Sequence, residues 1–395
     1  MTASAAESGA DAGGTCPHCG EHVEAGASFC EACGKPLDAA GGPDGPTPPA
    51  NPPREESPLD DLGRGPISAS VQLPRTVEMP PPEPRACLSC GGTVGPDGYC
   101  ESCGVKALSE RDHFREQPAS WVAGVCDKGI RHSRNEDAMA LLASEEPGGR
   151  AVLVVLDGVS NTDDSQAGSL AGAKAALEVL RTPLPHGMGT AESRRAAVAR
   201  AFAESAARAN DAVMGATVAG TTKPASATYV VAVLEGSTVS FANIGDSRAY
   251  WLPDGGPGVQ LSVDDSAAQE QIAAGALRAE AESSPMAHAI TRWLGRDAPD
   301  LEPRVGERQL DEPGWLLVCS DGLWNYASDP DALAAQVRAV GTTDPAALAL
   351  ALVGFANAQG GQDNITVTLA RVEAAGQNAT TAQAAPEQGS GESHG

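Results

Sequence analysis

Three aspartates in this chain of 395 residues end apolar stretches that have the length of buried strands. They are Asp157 after residues 152–156, Asp321 after residues 316–319 and one serine, and Asp246 after residues 239–244 and one glycine. A carboxylate at the end of a buried strand is costly unless it is solvated, hydrogen-bonded or bound to a metal ion. A single Asp-Gly pair usually forms a turn, so the repetition is the informative feature.

Two further acidic positions flank this set. Asp137 follows a short polar stretch, and Asp363 stands just before the last apolar stretch. Carboxylates that share one cleft repel one another unless a hard cation lies between them, and oxygen ligands select Mg²⁺ or Mn²⁺ over zinc. The sequence therefore predicts that Asp137, Asp157, Asp321 and Asp363 gather at one site that binds such ions. We interpret Asp246 as a structural turn residue that hydrogen-bonds the turn backbone and pairs with Arg248.

Eight of the ten cysteines form four Cys-x-x-Cys pairs, which fall into two similar units. Each unit can fold so that four thiolates surround one ion in the tetrahedral geometry of zinc, or of iron. A glycine follows every pair, which suits a knuckle with a positive φ. Because sulfur would fill every position, we interpret both units as structural zinc ribbons that dock a partner. The predicted ligands are Cys16, Cys19, Cys30 and Cys33 in the first unit, and Cys87, Cys90, Cys100 and Cys103 in the second.

The elements that position the acids lie between residues 120 and 372. Apolar runs predict strands at 121–125, 151–156, 227–234, 239–244, 249–252, 315–319 and 365–372. Helical periodicity is found at 165–180, 191–214, 266–278, 330–340 and 344–358. The helices cluster between sets of strands rather than alternating with them one for one. This order favours an α+β layered domain over a doubly wound parallel sheet.

These features divide the chain into five segments. We predict a first zinc ribbon at 14–37, a Pro-rich disordered linker at 38–84, a second zinc ribbon at 85–106, a catalytic domain at 118–372 and a disordered tail at 373–395. The linker segment carries all thirteen prolines found between residues 37 and 85, so we expect it to be extended. The tail lacks apolar periodicity.

The overall charge disfavours some classes of binding partner. Its formal net charge of -25 and its pI of about 4.5 argue against a protein that coats nucleic acid or anionic membranes, since both need a cationic face. The first residues lack the basic start and apolar stretch of a secretory signal, and no run has the length of a membrane span. We therefore expect a cytoplasmic protein, in which reduced cysteines bind metal rather than form disulfides.

The acids stand in a series that resembles a known family. The series consists of residues 131–137 (Arg-His-Ser-Arg-Asn-Glu-Asp), Asp157-Gly158, Gly245-Asp246-Ser247-Arg248, Ser320-Asp321-Gly322 and Asp363-Asn364. In order and spacing it resembles the type 2C family of metal-dependent protein serine/threonine phosphatases. The resemblance implies a four-layer α-β-β-α sandwich, in which two antiparallel sheets pack face to face with helices outside both.

The resemblance also implies a role for each acid. Asp157 would bridge two Mn²⁺ or Mg²⁺ ions, with the carbonyl of Gly158 as another ligand. Glu136 and Asp137 would hold one ion directly or through water, and Asp321 with Asp363 would complete the other. Glu235 is near where some bacterial relatives carry an acid for a third ion. The implied reaction is hydrolysis of phosphoserine and phosphothreonine by a water that bridges the ions.

Two departures from the family pattern concern the substrate. Many relatives place a phosphate-binding arginine five residues before the aspartate of the first motif, where this chain has His132. The candidates for phosphate capture are then Arg131 and Arg134, and His132 itself is a further candidate. After Asp157-Gly158 the chain continues Val159-Ser160 instead of a histidine or methionine followed by two glycines. The residues that we expect to carry the reaction are therefore Asp137, Asp157 and Asp321, with Arg131 and Arg134.

Three functions are compatible with these patterns. The first is a protein-serine/threonine phosphatase that acts on the substrates of a serine/threonine kinase, with the ribbons as docking or regulatory modules. The second is a catalytically weak phosphatase-like domain that serves as a phosphoprotein sensor or scaffold. The third makes the ribbons nucleic-acid binders, which the charge of the first ribbon disfavours, because four acids there face Lys35 alone.

Overall fold

The computed structural model describes residues 14–15, 22–23, 86–87, 91–160, 162–284 and 286–373. The chain divides into two compact units, Met1–Pro80 and Pro81–Gly395. In the first unit the described residues form the short antiparallel strands β1 (Gly14–Thr15) and β2 (His22–Val23). The predicted ligands Cys16, Cys19, Cys30, Cys33 and Cys90, the predicted linker, and the tail beyond residue 373 lie outside the described residues.

The second unit contains thirteen strands and seven helices among its described residues. The strands are β3 (His113–Ala119), β4 (Val122–Asp127), β5 (Ala138–Ala143), β6 (Arg150–Leu156), β7 (Ser226–Ala227), β8 (Tyr229–Glu235), β9 (Thr238–Ile244), β10 (Arg248–Pro253), β11 (Val259–Gln260), β12 (Leu294–Gly295), β13 (Arg304–Gln309), β14 (Gly314–Cys319) and β15 (Ile365–Val372). The helices are α1 (Ser165–Val179), α2 (Ala191–Ala216), α3 (Ala267–Ala273), α4 (Arg278–Glu282), α5 (Asp321–Trp324), α6 (Pro330–Val340) and α7 (Pro345–Ala358).

Two antiparallel sheets form the centre of this unit. One has six strands in the order β11-β10-β14-β15-β4-β3, and the other has five in the order β13-β9-β8-β6-β5. A two-stranded ladder of β12 and β7 completes the pairing. Strand β3 begins at His113, before the predicted domain start at residue 118, because it pairs with β4 along the edge of the larger sheet.

The two sheets pack face to face, and helices cover both outer faces. Alternate residues of β6 show this arrangement, because successive side chains of a strand point to opposite sides. Val152, Val154 and Leu156 belong to the core beneath α1 and α2. Leu153 and Val155 belong to the core between the sheets, while α5, α6 and α7 cover the outer face of the larger sheet. The predicted four-layer α-β-β-α sandwich is confirmed.

Local sequence explains where the outer helices begin and end. Asp329 caps α6 by accepting hydrogen bonds from the backbone amides of residues 331 and 332, and proline occupies the first helical position. Asp344 caps α7 in the same way. At the other end of α6, Gly341 has a φ of 66°, the left-handed conformation that ends many helices.

One predicted helix is wrong. Residues 266–278 form the short helix α3 and contain only the first residue of α4, rather than forming one continuous helix. Gly275 between them has a φ of 102°, which a helix cannot accommodate. The break makes this segment a compact loop that packs on its own small cluster around Ala268, Ala281 and Ala287.

The described part of the second ribbon is a small folded unit. Isolated bridges join Ala86 to Thr93, Val94 to Cys100 and Tyr99 to Lys106. Gly91 and Gly104 have φ values of 76° and 71°, as the knuckle geometry predicts. Their amides donate to the carbonyls of Cys87 and Cys100, at 2.7 and 2.8 Å.

Among the described residues, no single helix is long and apolar enough to cross a membrane. By length and composition α6 and α7 pass that test only together, and the chain bends by 120° between them. Buried residues of both helices pack on the larger sheet, which accounts for their apolar character.

Candidate metal centre

The register of the strands brings the acids to one edge of the sandwich. Asp137 directly precedes β5 and Asp157 directly follows β6, and the pairing of Ala138 with Leu156 makes these two positions neighbours. In the larger sheet the end of β14 at Cys319 pairs with the starts of β10 and β15. Asp246, Asp321 and Asp363 lie next to those strand ends, so five acids meet where the two sheets open.

Asp137 is completely buried. Its Oδ2 accepts hydrogen bonds from the hydroxyls of Ser320, at 2.6 Å, and Thr366, at 2.7 Å. Its Oδ1 has no hydrogen-bond partner among the described residues. Burial raises the pKa of this carboxyl to about 6, the two hydroxyls oppose that change, and the charge of Asp363 adds to it. The carboxylate is thus held by one oxygen, and the other is available to a ligand.

Asp157 and Asp321 are half-buried as whole residues, and their carboxyl groups lie among other carboxylates. Burial raises the pKa of Asp157 well above its usual value, and the charges of Asp137 and Asp321 raise it further. The pKa of Asp321 is raised in the same way, by burial and then by Asp363 and Asp246. Asp321 accepts a hydrogen bond from Asn325 at Oδ2, whereas its buried Oδ1 has no partner among the described residues.

Asp246 belongs to this cluster, which the sequence analysis did not predict. It is buried, and its pKa rises to about 7 because of burial and the nearby charge of Asp264. We expected Arg248 to be its partner, and that expectation is wrong. The guanidinium of Arg248 forms its ion pairs with Asp264, at 2.7 Å, and Glu282, at 3.1 Å. The signal that could have placed Asp246 in the cluster is its position after a buried strand, which it shares with Asp157 and Asp321.

Glu136 lies beside the cluster, with 2 % of its side chain exposed. Arg134 donates to its Oε1, at 2.8 Å from Nη2 and 2.9 Å from Nε, and the hydroxyl of Ser165 contacts the same oxygen. The Glu136 backbone passes close to Gly158, where an added Cβ would lie 2.6 Å from the Glu136 carbonyl oxygen. A side chain at position 158 would therefore separate two predicted ligands.

His132 lies between two predicted ligands. Its Nε2 is 3.2 Å from Oδ1 of Asp363, and its Nδ1 is 4.0 Å from Oε2 of Glu136. The side chain of Asp363 is 39 % exposed, so this acid forms the open side of the cluster. Arg131 is exposed, and its side chain makes no hydrogen bond or ion pair with any described residue.

Glu235 is not part of the centre. It ends β8 opposite Arg150, which begins β6, whereas the amide of Thr228 just before β8 donates to the carbonyl of Asp157. The strand therefore separates Glu235 from the acids by roughly 20 Å, at about 3.3 Å per residue. Glu235 pairs with Arg150 at 3.1 Å instead, so its match to a third-ion ligand is wrong.

A cleft of about 270 Å³ opens beside the cluster. Asp363 and Gly322 line its inner end, and His288 and Trp324 form one wall with ring centroids 5.8 Å apart. Arg292 is not in this cleft. It pairs with Asp265 and Asp300, at 3.3 and 2.8 Å, in a structural role.

The donor atoms fit a hard divalent cation. The cluster offers carboxylate oxygens and, at Gly158, a backbone carbonyl, which is the ligand chemistry of Mg²⁺ and Mn²⁺. Two of its buried oxygens, Oδ1 of Asp137 and Oδ1 of Asp321, have no partner among the described residues. Such atoms are rare in folded proteins unless a ligand or water satisfies them. The raised pKa values have the same origin, since the carboxylates lack a balancing positive charge.

A second group of metal-ligating atoms lies in the second ribbon. One ligand atom from each of Cys87, Cys100 and Cys103 lies within 4.8 Å of the others, and Sγ of Cys87 is 3.8 Å from Sγ of Cys103. Sulfur ligands in this arrangement suit zinc. Three of the four predicted ligands of this ribbon are therefore together, and the fourth, Cys90, is outside the described residues.

Comparison with known proteins agrees with this geometry. Sequence models of protein phosphatase 2C and of the double zinc ribbon match residues 130–351 and 16–104. Protein phosphatase PhpP of Streptococcus pneumoniae serotype 2 is 37% identical over 146 residues, which cover 35% of this chain and 55% of that protein. Serine/threonine protein phosphatase PstP of Mycobacterium tuberculosis is 34% identical over 147 residues, covering 37% and 27%. The chain spans about half the length of the first of these relatives.

Solved structures share the fold. A serine/threonine phosphatase of S. agalactiae aligns with a TM-score of 0.52 at 26% identity, covering 66% of this chain and 100% of that chain. A bacterial serine phosphatase at 21% identity, with a TM-score of 0.51, shows the same fold. The matched segment of 222 residues, 130–351, exceeds half of the 395 residues and includes four of the five clustered acids. The chain therefore belongs to the protein phosphatase 2C family.

Proposed function

We propose that this chain hydrolyses phosphoserine and phosphothreonine on proteins, using divalent cations held by the acid cluster. One observation carries the proposal: Asp137, Asp157 and Asp321 converge at the strand ends, and two of their buried oxygens have no partner among the described residues. The substrates would be phosphoproteins made by a serine/threonine kinase, in the cytoplasm.

In this proposal four aspartates hold the cations: Asp137, Asp157, Asp321 and Asp363. Glu136 and the carbonyl of Gly158 would be further ligands. These residues would hold two or three Mn²⁺ or Mg²⁺ ions, whose chemistry when bound is to lower the pKa of a water nucleophile and to offset the charge of the phosphate. Ser320 and Thr366 fix one oxygen of Asp137, so that the other keeps a constant direction. Asn325 does the same for Asp321.

The two arginines have different tasks. Arg134 is engaged by Glu136 through two of its nitrogens, so it orients that acid rather than the substrate. The side chain of Arg131 is exposed and makes no ion pair with any described residue, which leaves its guanidinium available for a phosphate. We therefore assign phosphate binding to Arg131, while His132 holds Asp363. The loop after Gly158 carries no histidine, so the leaving oxygen would take its proton from water.

The ribbons would be structural zinc modules that dock a partner or regulate the domain, one zinc ion in each. The sulfur cluster of the second ribbon and the double zinc ribbon match support this assignment. Elemental analysis of the purified chain tests it. We expect two zinc ions per chain, and one in a Cys100→Ser variant. A zinc-free protein would contradict the assignment.

Hydrolysis by the full chain tests the proposed activity. An aryl phosphate and a phosphothreonine peptide should both be hydrolysed with Mn²⁺, and Asp321→Ala should lower the rate by about a thousandfold, or about 4 kcal/mol. Asp311→Ala, which changes an exposed acid outside the cluster, should leave the rate unchanged. Equal, slow rates for wild type and Asp321→Ala would overturn the proposal. Phosphopeptide binding without turnover would favour a sensor or scaffold instead.

A further inference from the structure

Several contacts anchor the short segment that leads from the second ribbon into β3. This segment, Ser109–His113, is called the strap below. Its first residue makes a turn with Asp112, whose Oδ2 accepts from the amide of Ser109 at 2.9 Å. The strap lies before the matched residues 130–351.

The strap is bound to the loop that leads to the first acids. The carbonyl of Asp112 accepts from the amide of Lys128 at 2.7 Å, and Nδ1 of His113 lies 2.6 Å from Oδ2 of Asp127. The carbonyl of Arg111 accepts from Nδ2 of Asn135 at 3.1 Å. Three consecutive residues of the strap thus contact three positions between residues 127 and 135.

The side chain of Arg111 adds a second connection, to helix α1. Its Nη2 donates to the carbonyl of Gln166 at 3.2 Å and to the hydroxyl of Ser169 at 3.4 Å. The hydroxyl of Ser169 in turn donates to the backbone carbonyl of Glu136. Nε and Nη1 of Arg111 are buried without a hydrogen-bond partner among the described residues, so one nitrogen makes both side-chain hydrogen bonds.

Both connections end at backbone atoms of the predicted ligands. Asn135, held by the Arg111 carbonyl, accepts at Oδ1 from the amide of Asp137 at 3.2 Å. Ser169, held by the Arg111 guanidinium, fixes the carbonyl of Glu136. A shift of either contact would move Glu136 and Asp137 relative to Asp157 and Asp321.

We propose that Arg111 is a positioning residue for the metal centre. Its guanidinium acts through Ser169 on Glu136, and its backbone carbonyl acts through Asn135 on Asp137. The inference rests on the proposed function, since it concerns the same cations. Groups that orient metal ligands commonly change metal affinity by 10- to 100-fold when they are removed. Arg111 acts through one intervening residue, so we expect the lower end of that range. The strap, which follows the second ribbon, would then also help to position the ligands of the catalytic site.

Mn²⁺ binding by the full chain, measured by isothermal titration calorimetry, tests this inference. Arg111→Met keeps the length of the side chain and the backbone contact to Asn135 but removes the donors to Gln166 and Ser169, and it should raise the Kd for Mn²⁺ about tenfold. Arg111→Lys keeps one donor and should restore the Kd to within about twofold of wild type, since one nitrogen makes both contacts. Arg200→Met, an exposed position on α2, is the matched control and should bind as wild type does.

A wild-type Kd in Arg111→Met would overturn the inference, and so would an Arg111→Lys variant as impaired as Arg111→Met. Circular dichroism establishes that each variant is folded. If Arg111→Met fails to fold, Ser169→Ala replaces it, because that change removes the hydroxyl between Arg111 and Glu136. An unchanged Kd in Ser169→Ala would then overturn the inference. A wild-type chain that binds Mn²⁺ but hydrolyses no phosphate ester contradicts the proposed function alone, whereas one that binds no Mn²⁺ contradicts both.

Discussion

The second ribbon and the phosphatase domain use metal-binding residues in opposite ways. The buried apolar cluster of the ribbon consists of Cys87, Val94 and Cys100, so two of its three members are predicted zinc ligands. The phosphatase domain has three large cores that contain none of its clustered acids, which lie at one edge of the sheets. A metal ion would thus determine folding in the ribbon and only function in the domain.

The largest expected effect is loss of the ribbon fold without zinc. Binding energies of structural zinc ions are about 10–16 kcal/mol, far more than a cluster of three buried residues contributes. Cys100→Ser should therefore expose residues 86–107 to protease while the main calorimetric transition of the domain moves by less than about 2 °C. A ribbon that resists protease in this variant would show that its fold does not depend on zinc, and the two regions would then not differ in this respect.

A change in the acid cluster should have the reverse effect, on activity rather than on folding. Asp137→Asn keeps the shape of a buried side chain whose pKa is already raised to about 6. We expect about a thousandfold loss of Mn²⁺-dependent hydrolysis, or about 4 kcal/mol, with a metal-free Tm equal to or above that of wild type. A Tm lowered by more than about 5 °C would show that Asp137 serves the fold.

The pH dependence of stability should sharpen the same contrast. The folded pKa values of Asp137 and Asp246 are raised to about 6 and about 7, and those of Asp157 and Asp321 are raised too. Groups with raised folded pKa values bind more protons in the folded state, so their contribution is complete below about pH 4 and is lost as the pH rises to about 7.

For the metal-free chain we therefore expect Tm to fall by about 4–8 °C between pH 5 and pH 7.5, which corresponds to about 2 kcal/mol. Mn²⁺ should restore it at the higher pH. Melting curves with a chelator and with Mn²⁺ measure both values. A metal-free Tm that rises steadily over this interval would show that the folded state does not raise the pKa values of these acids.

The smallest expected effect separates the two arginines beside the cluster. Arg131→Ala should raise KM for an aryl phosphate about fivefold, or about 1 kcal/mol, and leave the Mn²⁺ activation midpoint unchanged. Arg134→Ala should instead raise the midpoint, because Arg134 holds Glu136. Rates over a grid of substrate and Mn²⁺ concentrations distinguish these patterns. The reverse assignment would follow if Arg134→Ala changed only KM.

Much of the fold was predictable because the central strands are buried on both faces. Strands such as β6 and β14 lie between a helix layer and the other sheet, and they read as continuous apolar runs. The strands that sequence analysis missed include the edge strands β3, β5 and β13. β3 and β13 are largely exposed and polar, and β5 is rich in alanine, so neither pattern predicts a strand.

The candidate site was predictable in part for a related reason. The position of an acid at the end of a buried strand is visible in the sequence, and it led to Asp157 and Asp321. The partner of Arg248 is not visible, because Asp264 reaches it only through the folding of a later loop. Arg111 was missed because its contacts to Gln166 and Ser169 join segments more than fifty residues apart.

The position of the cations tests the central claim most directly. A crystal of the full chain grown with Mn²⁺ would show them in an anomalous difference map recorded near the manganese absorption edge. We expect peaks within about 2.0–2.5 Å of carboxylate oxygens of Asp157, with Asp137 and Asp321 among the other ligands. A map without a peak among these acids, at an Mn²⁺ concentration that supports hydrolysis, would contradict the account.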